Sequence, residues 1–158
     1  MLTIAAESTL TAEARDLIAG SETVLRSVYP PEACFSFSPE ELMQAGSTFL
    51  VARMAEAGDA RSAGTAVGCA ALVSCDGYGE IKRLFVEPAW RGHGIGRALM
   101  ARIESEAAGQ GLPMVRLETG ARLAAAVRLY ETLGYQECGR FGDYTGHPSS
   151  LFMEKRLA

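Results

Sequence analysis

Little in this chain points to metal, redox or nucleic-acid chemistry. Its four cysteines (Cys34, Cys69, Cys75 and Cys138) are scattered, with no Cys-x-x-Cys pair and only two histidines in the chain. Zinc-ligand spacing is therefore absent, and no metal is expected. Cysteines without a disulfide pattern fit a reducing, cytoplasmic setting. Cys69 and Cys138 lie in apolar runs and are read as small core residues. No stretch approaches the roughly 18 uninterrupted apolar residues of a membrane span. The N-terminus MLTIAAESTL carries Glu7 and no basic segment, which argues against a secretory leader. Lys and Arg number 15 against 19 Asp and Glu, a net charge of −4. That excludes a broad electrostatic grip on nucleic acid. Repeats and low-complexity tracts are missing too. What remains is 158 residues, 48% hydrophobic and 22% charged. One domain over residues 1–158 is expected, as a monomer or homodimer, burying roughly 70% of its unfolded surface without staples.

Residues 2–6 read as a first strand. Residues 12–28 read as one or two helices, with a break near Gly20-Ser21, and Tyr29-Pro30-Pro31 stops helix formation. Ser38-Pro39-Glu40-Glu41 is a helix start with a capping box: Ser38 caps, Pro39 takes the first helical position, and Glu41 reaches back. Two strands follow over 48–54 and 65–74, joined by the small, polar loop 56–64. A third strand spans 80–86 and ends at Pro88. Ile95, Leu99, Ile103 and Ala107 recur every fourth residue, the apolar stripe of a helix. Residues 114–119 form a strand, and Leu123, Val127 and Tyr130 mark another helical stripe, closed by Gly134. Strands over 135–139 and 150–155 complete the chain. This order predicts an α/β fold: a mixed, mostly antiparallel sheet of six or seven strands flanked by helices.

The stretch from Leu84 to Arg97 carries the chemistry. A strand runs into Arg91-Gly92-His93-Gly94-Ile95-Gly96-Arg97, which opens a helix. Glycines at alternate positions free the backbone, the first helical amides have no partner, and the helix dipole adds positive potential. Such a turn binds phosphate or pyrophosphate, and Arg91 and Arg97 make it a local basic patch in an acidic chain. A Walker loop would need Gly-Lys-Ser/Thr, and a dinucleotide fingerprint GxGxxG; neither is present.

The same stretch resembles the acyl-CoA signature Arg/Gln-x-x-Gly-x-Gly/Ala of the GCN5-related N-acetyltransferase superfamily, through Arg91, Gly94 and Gly96. Phe85-Val86 before the turn, Leu129-Tyr130 on a later helix and Gly134-Tyr135 after it extend the resemblance over about residues 48–156. Leu117-Glu118-Thr119-Gly120 and the tail from Phe141 to Lys155 look like a bacterial branch of that superfamily. The resemblance implies an acyl-CoA N-acyltransferase fold in which the strands ending at Val86 and Thr119 splay apart. It also implies acetyl-CoA as cosubstrate and an amine as acceptor. The diphosphate would lie on Arg91, Gly92, His93, Gly94, Ile95, Gly96 and Arg97. The pantetheine arm would pair with Leu84, Phe85 and Val86, and an N–H near Val86 would act as oxyanion donor. Tyr130 would protonate the departing thiolate. The implied base is Glu80, with a water relay as the alternative, and one is needed because an alkylammonium with pKa near 10.4 cannot attack. Leu123 departs from the pattern, standing where many relatives carry an asparagine.

Plainer readings stand beside these. The glycines could make only a tight turn, Tyr130 could be a core tyrosine and Glu80 a solvated strand end. Tyr144, His147 and Ser149 could line an acceptor pocket or fill a loop, and Trp90 reads as a packing anchor. The function expected is acetyl transfer to a primary amine of a small molecule or peptide by direct attack in a ternary complex. Alternatives are a protein N-terminal or lysine acetyltransferase and a non-catalytic acyl-CoA binding domain.

Overall fold

The computed structural model describes residues 1–31, 34, 37–44, 47–59, 61–144 and 146–157. Seven strands form one sheet: β1 (Leu2–Ala6), β2 (Thr48–Met54), β3 (Thr65–Ser74), β4 (Gly79–Val86), β5 (Met114–Gly120), β6 (Gln136–Glu137) and β7 (Ser150–Arg156). Their order across the sheet is β1-β2-β3-β4-β5-β7-β6. Every neighbouring pair is antiparallel except β4–β5. That pair is parallel because a helix, α3 (Ile95–Gly109), carries the chain from one strand to the next. The other helices are α1 (Ala12–Val28), α2 (Pro39–Gln44) and α4 (Ala124–Thr132).

Helices cover both faces, so the central strands are buried on both sides. On one face Ile95, Leu99, Ile103 and Ala107 of α3 pack with Leu50, Val67, Leu72, Val115 and Leu117, and Tyr130 of α4 joins them. The four-residue stripe read from the sequence is this buried face. On the other face Leu17 and Ile18 of α1 and Leu42 of α2 cover Val51, Cys69, Ala71 and Phe85. The capping box forms at α2: Ser38 Oγ accepts from Glu41 N at 3.1 Å, and Ser38 N donates to Glu41 Oε1 at 3.3 Å.

Three expectations change. Helix α1 runs unbroken through Gly20-Ser21. Gly20 is there for space, since a Cβ would lie 2.7 Å from Phe85 Cζ. The strand expected over 135–139 shrinks to Gln136–Glu137, because Tyr135 turns inward to the core and only two residues pair with β7. Cys138 is half-buried rather than a core residue, whereas Cys69 is fully buried and burial pushes its thiol up to about 12. No helix among the described residues is long and apolar enough to cross a membrane.

Candidate active site

Strands β4 and β5 pair only through Ile81–Leu117 and then separate. The expected splay is therefore present. It leaves the β4 edge beyond Ile81 without a strand partner and opens a passage between the two faces of the sheet. A cavity of about 570 Å³ occupies it.

A bulge shapes the β4 wall. Cys69 pairs with Phe85 but Ala71 pairs with Lys82, so Arg83 and Leu84 together oppose Ala70. Arg83 takes a φ of +57°, the one positive value at a non-glycine among the described residues. Its guanidinium secures that backbone by donating to Ser21 Oγ at 2.8 Å and to the Phe37 carbonyl at 2.9 and 3.1 Å. It also meets Glu22 at 3.3 Å. The bulge turns Lys82 and Arg83 both toward α1, while Leu84 and Val86 pack toward α3.

At the mouth, Gly92 and Gly94 adopt φ of +81° and +78°. A Cβ on either would meet nothing within 4 Å, so conformation rather than crowding requires glycine there. Gly94 is the N-cap of α3 and offers no side-chain cap, which leaves the first amides of that helix as open donors. Arg91 Nε donates to the Val86 carbonyl at 3.0 Å and Arg97 reaches Thr132 Oγ1 at 3.3 Å, so both guanidiniums are anchored beside those amides. A diphosphate fits this cradle of uncapped amides and fixed cations.

Leu84, Phe85, Val86, Arg91, Gly92, Gly94, Ile95, Gly96, Arg97, Tyr130, Tyr144 and Ser149 all border the cavity. His93 and Glu80 do not. His93 is exposed, with Nδ1 3.0 Å from the Trp90 carbonyl and 3.1 Å from that of Arg91. Glu80 is 5% exposed and lies behind the wall, paired with Lys82 Nζ at 3.1 Å. Trp90 packs against the core beside the turn, as its anchor reading has it. Leu123 is the N-cap of α4 and lines the cavity with Ala124 to Ala126 and Leu129. Of the apolar stripe of α4, Leu123 and Tyr130 line the cavity and Val127 does not, and only Tyr130 is buried.

Burial raises the Tyr130 phenol well above its ordinary range, and the Glu118 charge adds to the effect. It stays protonated at any physiological pH. Among the described residues its hydroxyl has no hydrogen-bond partner, which leaves the proton available to a group in the cavity.

Glu118 stands in the sequence only as part of the Leu117–Gly120 motif, with no chemical role assigned to it. It follows the core residue Leu117 on β5, so strand alternation turns it to the α1 face. It borders the cavity, and burial pushes its carboxyl up to about 7. A hydrogen bond with Ser150 and the Lys82 charge pull the other way, and Glu80 adds repulsion. Beside it Lys82 Nζ donates to the Tyr144 hydroxyl at 2.8 Å and lies 4.4 Å from the centre of the Phe37 ring. Tyr144 is held edge-on by Phe141 and Phe152, at 5.6 and 5.5 Å between ring centres. Among the described residues no group of three His, Cys, Asp or Glu side chains could hold a metal ion.

Comparison with known proteins fits this geometry. The model of the acetyltransferase (GNAT) family matches residues 13–135. The chain is 42% identical to an IAA acetyltransferase of Azospirillum brasilense over 158 residues, covering 99% of this chain and 98% of that protein. It superposes on a Klebsiella pneumoniae protein assigned as an acyl-CoA N-acyltransferase with a TM-score of 0.80 at 32% identity, covering 100% and 99% of the two chains. The PaiA N-acetyltransferase of Thermoplasma acidophilum, solved in complex with coenzyme A, shares the fold at a TM-score of 0.75 and 20% identity, over 99% of each chain.

Proposed function

Because the chain belongs to the acetyltransferase (GNAT) family, and is thereby an acetyl-CoA-dependent N-acetyltransferase, we propose that it acetylates a primary amine of a small molecule or peptide by direct attack in a ternary complex. The observation that carries the reading is the passage between β4 and β5, with uncapped α3 amides at its mouth and Tyr130 and Glu118 on its walls. Acetyl-CoA supplies an acyl group already activated as a thioester. The amides over residues 91–97, with Arg91 and Arg97, hold its diphosphate. The unpaired edge of Leu84, Phe85 and Val86 takes the pantetheine arm as an added strand, and an N–H near Val86 orients the carbonyl oxygen.

Two side chains then move protons. Glu118 takes the proton of the acceptor ammonium, because a carboxyl with a pKa of about 7 is half ionised at neutral pH and borders the cavity. Tyr130 gives its phenolic proton to the departing sulfur. Glu118 replaces Glu80 as base in this scheme, since Glu80 is shut behind the wall and committed to Lys82. Glu80 instead fixes Lys82 and, through it, Tyr144.

The test is thermal stability with and without acetyl-CoA. Ligand at about 100 times Kd adds roughly 2.7 kcal/mol of stability. Gly94→Glu places bulk and negative charge at the cradle and should remove that shift. A wild-type protein whose melting temperature does not respond to acetyl-CoA overturns the reading.

A further inference from the structure

Resting on that reading, we infer that the acceptor is a small amine carried on an uncharged apolar body, with no carboxylate beside the amine. The α1 side of the cavity supports this through charge, apolar lining and closure. Of the four cations bordering the cavity, Arg91 and Arg97 belong to the diphosphate cradle, and the other two are already committed. Lys82 is bound by Glu80 and the Tyr144 hydroxyl and covered by the Phe37 ring. Arg83 is bound by Ser21, the Phe37 carbonyl and Glu22. Glu118 is the carboxylate in excess, and it borders the cavity. An entering ammonium therefore meets a carboxylate that needs a cation. An entering carboxylate meets Glu118 and no uncommitted cation, so its lost hydration is not replaced.

The lining repeats the preference. Val24, Leu25, Tyr29 and Phe37 give this side an aliphatic and aromatic wall suited to an alkyl or aryl body. Closure limits size. The Tyr29 hydroxyl accepts from Arg122 N at 2.6 Å, and its ring lies directly on Gly120, where a Cβ would collide with it. The end of α1 is thereby strapped to the end of β5. That strap narrows the α1 side of the cavity, which favours a small acceptor over a polypeptide.

Three acceptors with one aromatic ring isolate the charge: 2-phenylethylamine, phenylalanine and phenylalanine methyl ester. Thiol release from acetyl-CoA is measured with each, and acetyl-CoA binding is followed by thermal shift on the same protein. The expected result is kcat/KM at least 10-fold higher for 2-phenylethylamine than for phenylalanine, with the methyl ester restored toward the amine. Leu25→Arg puts a cation in the apolar wall and should shrink that ratio. Equal or faster turnover of phenylalanine by the wild type overturns the inference and leaves the acetyltransferase reading standing. Inertness of all three amines with acetyl-CoA binding intact also overturns it. Absence of the acetyl-CoA shift overturns the underlying reading and the inference with it.

Discussion

In the proposed scheme Tyr130 and Glu118 divide the proton work between the two faces of a parted sheet. Tyr130→Phe removes one oxygen from a buried ring and keeps its packing against Tyr135, whose ring centre is 5.9 Å away. We expect kcat to fall by on the order of 10²–10³-fold with acetyl-CoA binding unchanged, read by steady-state kinetics and thermal shift together. A variant with wild-type kcat would reduce Tyr130 to the core tyrosine of the plainer reading. Glu118→Gln should lower kcat by a similar factor. It should also erase the rise in kcat/KM centred near the Glu118 pKa of about 7. A surviving inflection in the variant would assign the base elsewhere. Tyr130 was legible in the sequence because an apolar stripe and a Leu-Tyr pair coincide on it. Glu118 was not, since its chemistry comes from burial and from Lys82, Glu80 and Ser150, none adjacent to it in the chain.

Whole elements are legible in the sequence where local chemistry decides them. The α2 capping box and the α3 stripe are signals within one turn or one face, and both appear as expected. Features decided by distant partners escaped. Gly20 looked like a helix break, and it is the hollow that receives Phe85 from β4. The Arg83 bulge leaves no local mark, because the groups that hold it lie on α1 and beside α2. The α1–β5 strap is of the same kind. Gly120 is flush against Tyr29, so Gly120→Ala forces the ring and its hydrogen bond to Arg122 to move. Overpacking of this sort costs about 1–3 kcal/mol. We expect a lower denaturation midpoint for Gly120→Ala, and a much smaller cost for the same change in a Tyr29→Ala background. Equal additive losses in the double variant would show that the two residues are not in contact.

For the molecule as a whole, a buried carboxyl in the wall makes folding depend on pH. Glu118 has an ordinary pKa of 4.5, and burial raises it to about 7 in the folded chain. Between those values the unfolded chain carries the charge and the folded chain carries the proton. Folding then takes up a proton, so stability falls as pH rises from 4.5 toward 7 and levels off above that. The full penalty above pH 7 is at most about 3 kcal/mol. Glu118→Gln cannot ionise and should escape it. Denaturant titrations at pH 8 should therefore find the variant more stable than the wild type by up to that amount, and the advantage should fade by pH 4.5. The paired kinetic loss would make this a direct exchange of stability for activity at one side chain. A variant no more stable than wild type at pH 8 would mean that Glu118 keeps enough solvent to ionise normally. In that case its place as the base would fall too.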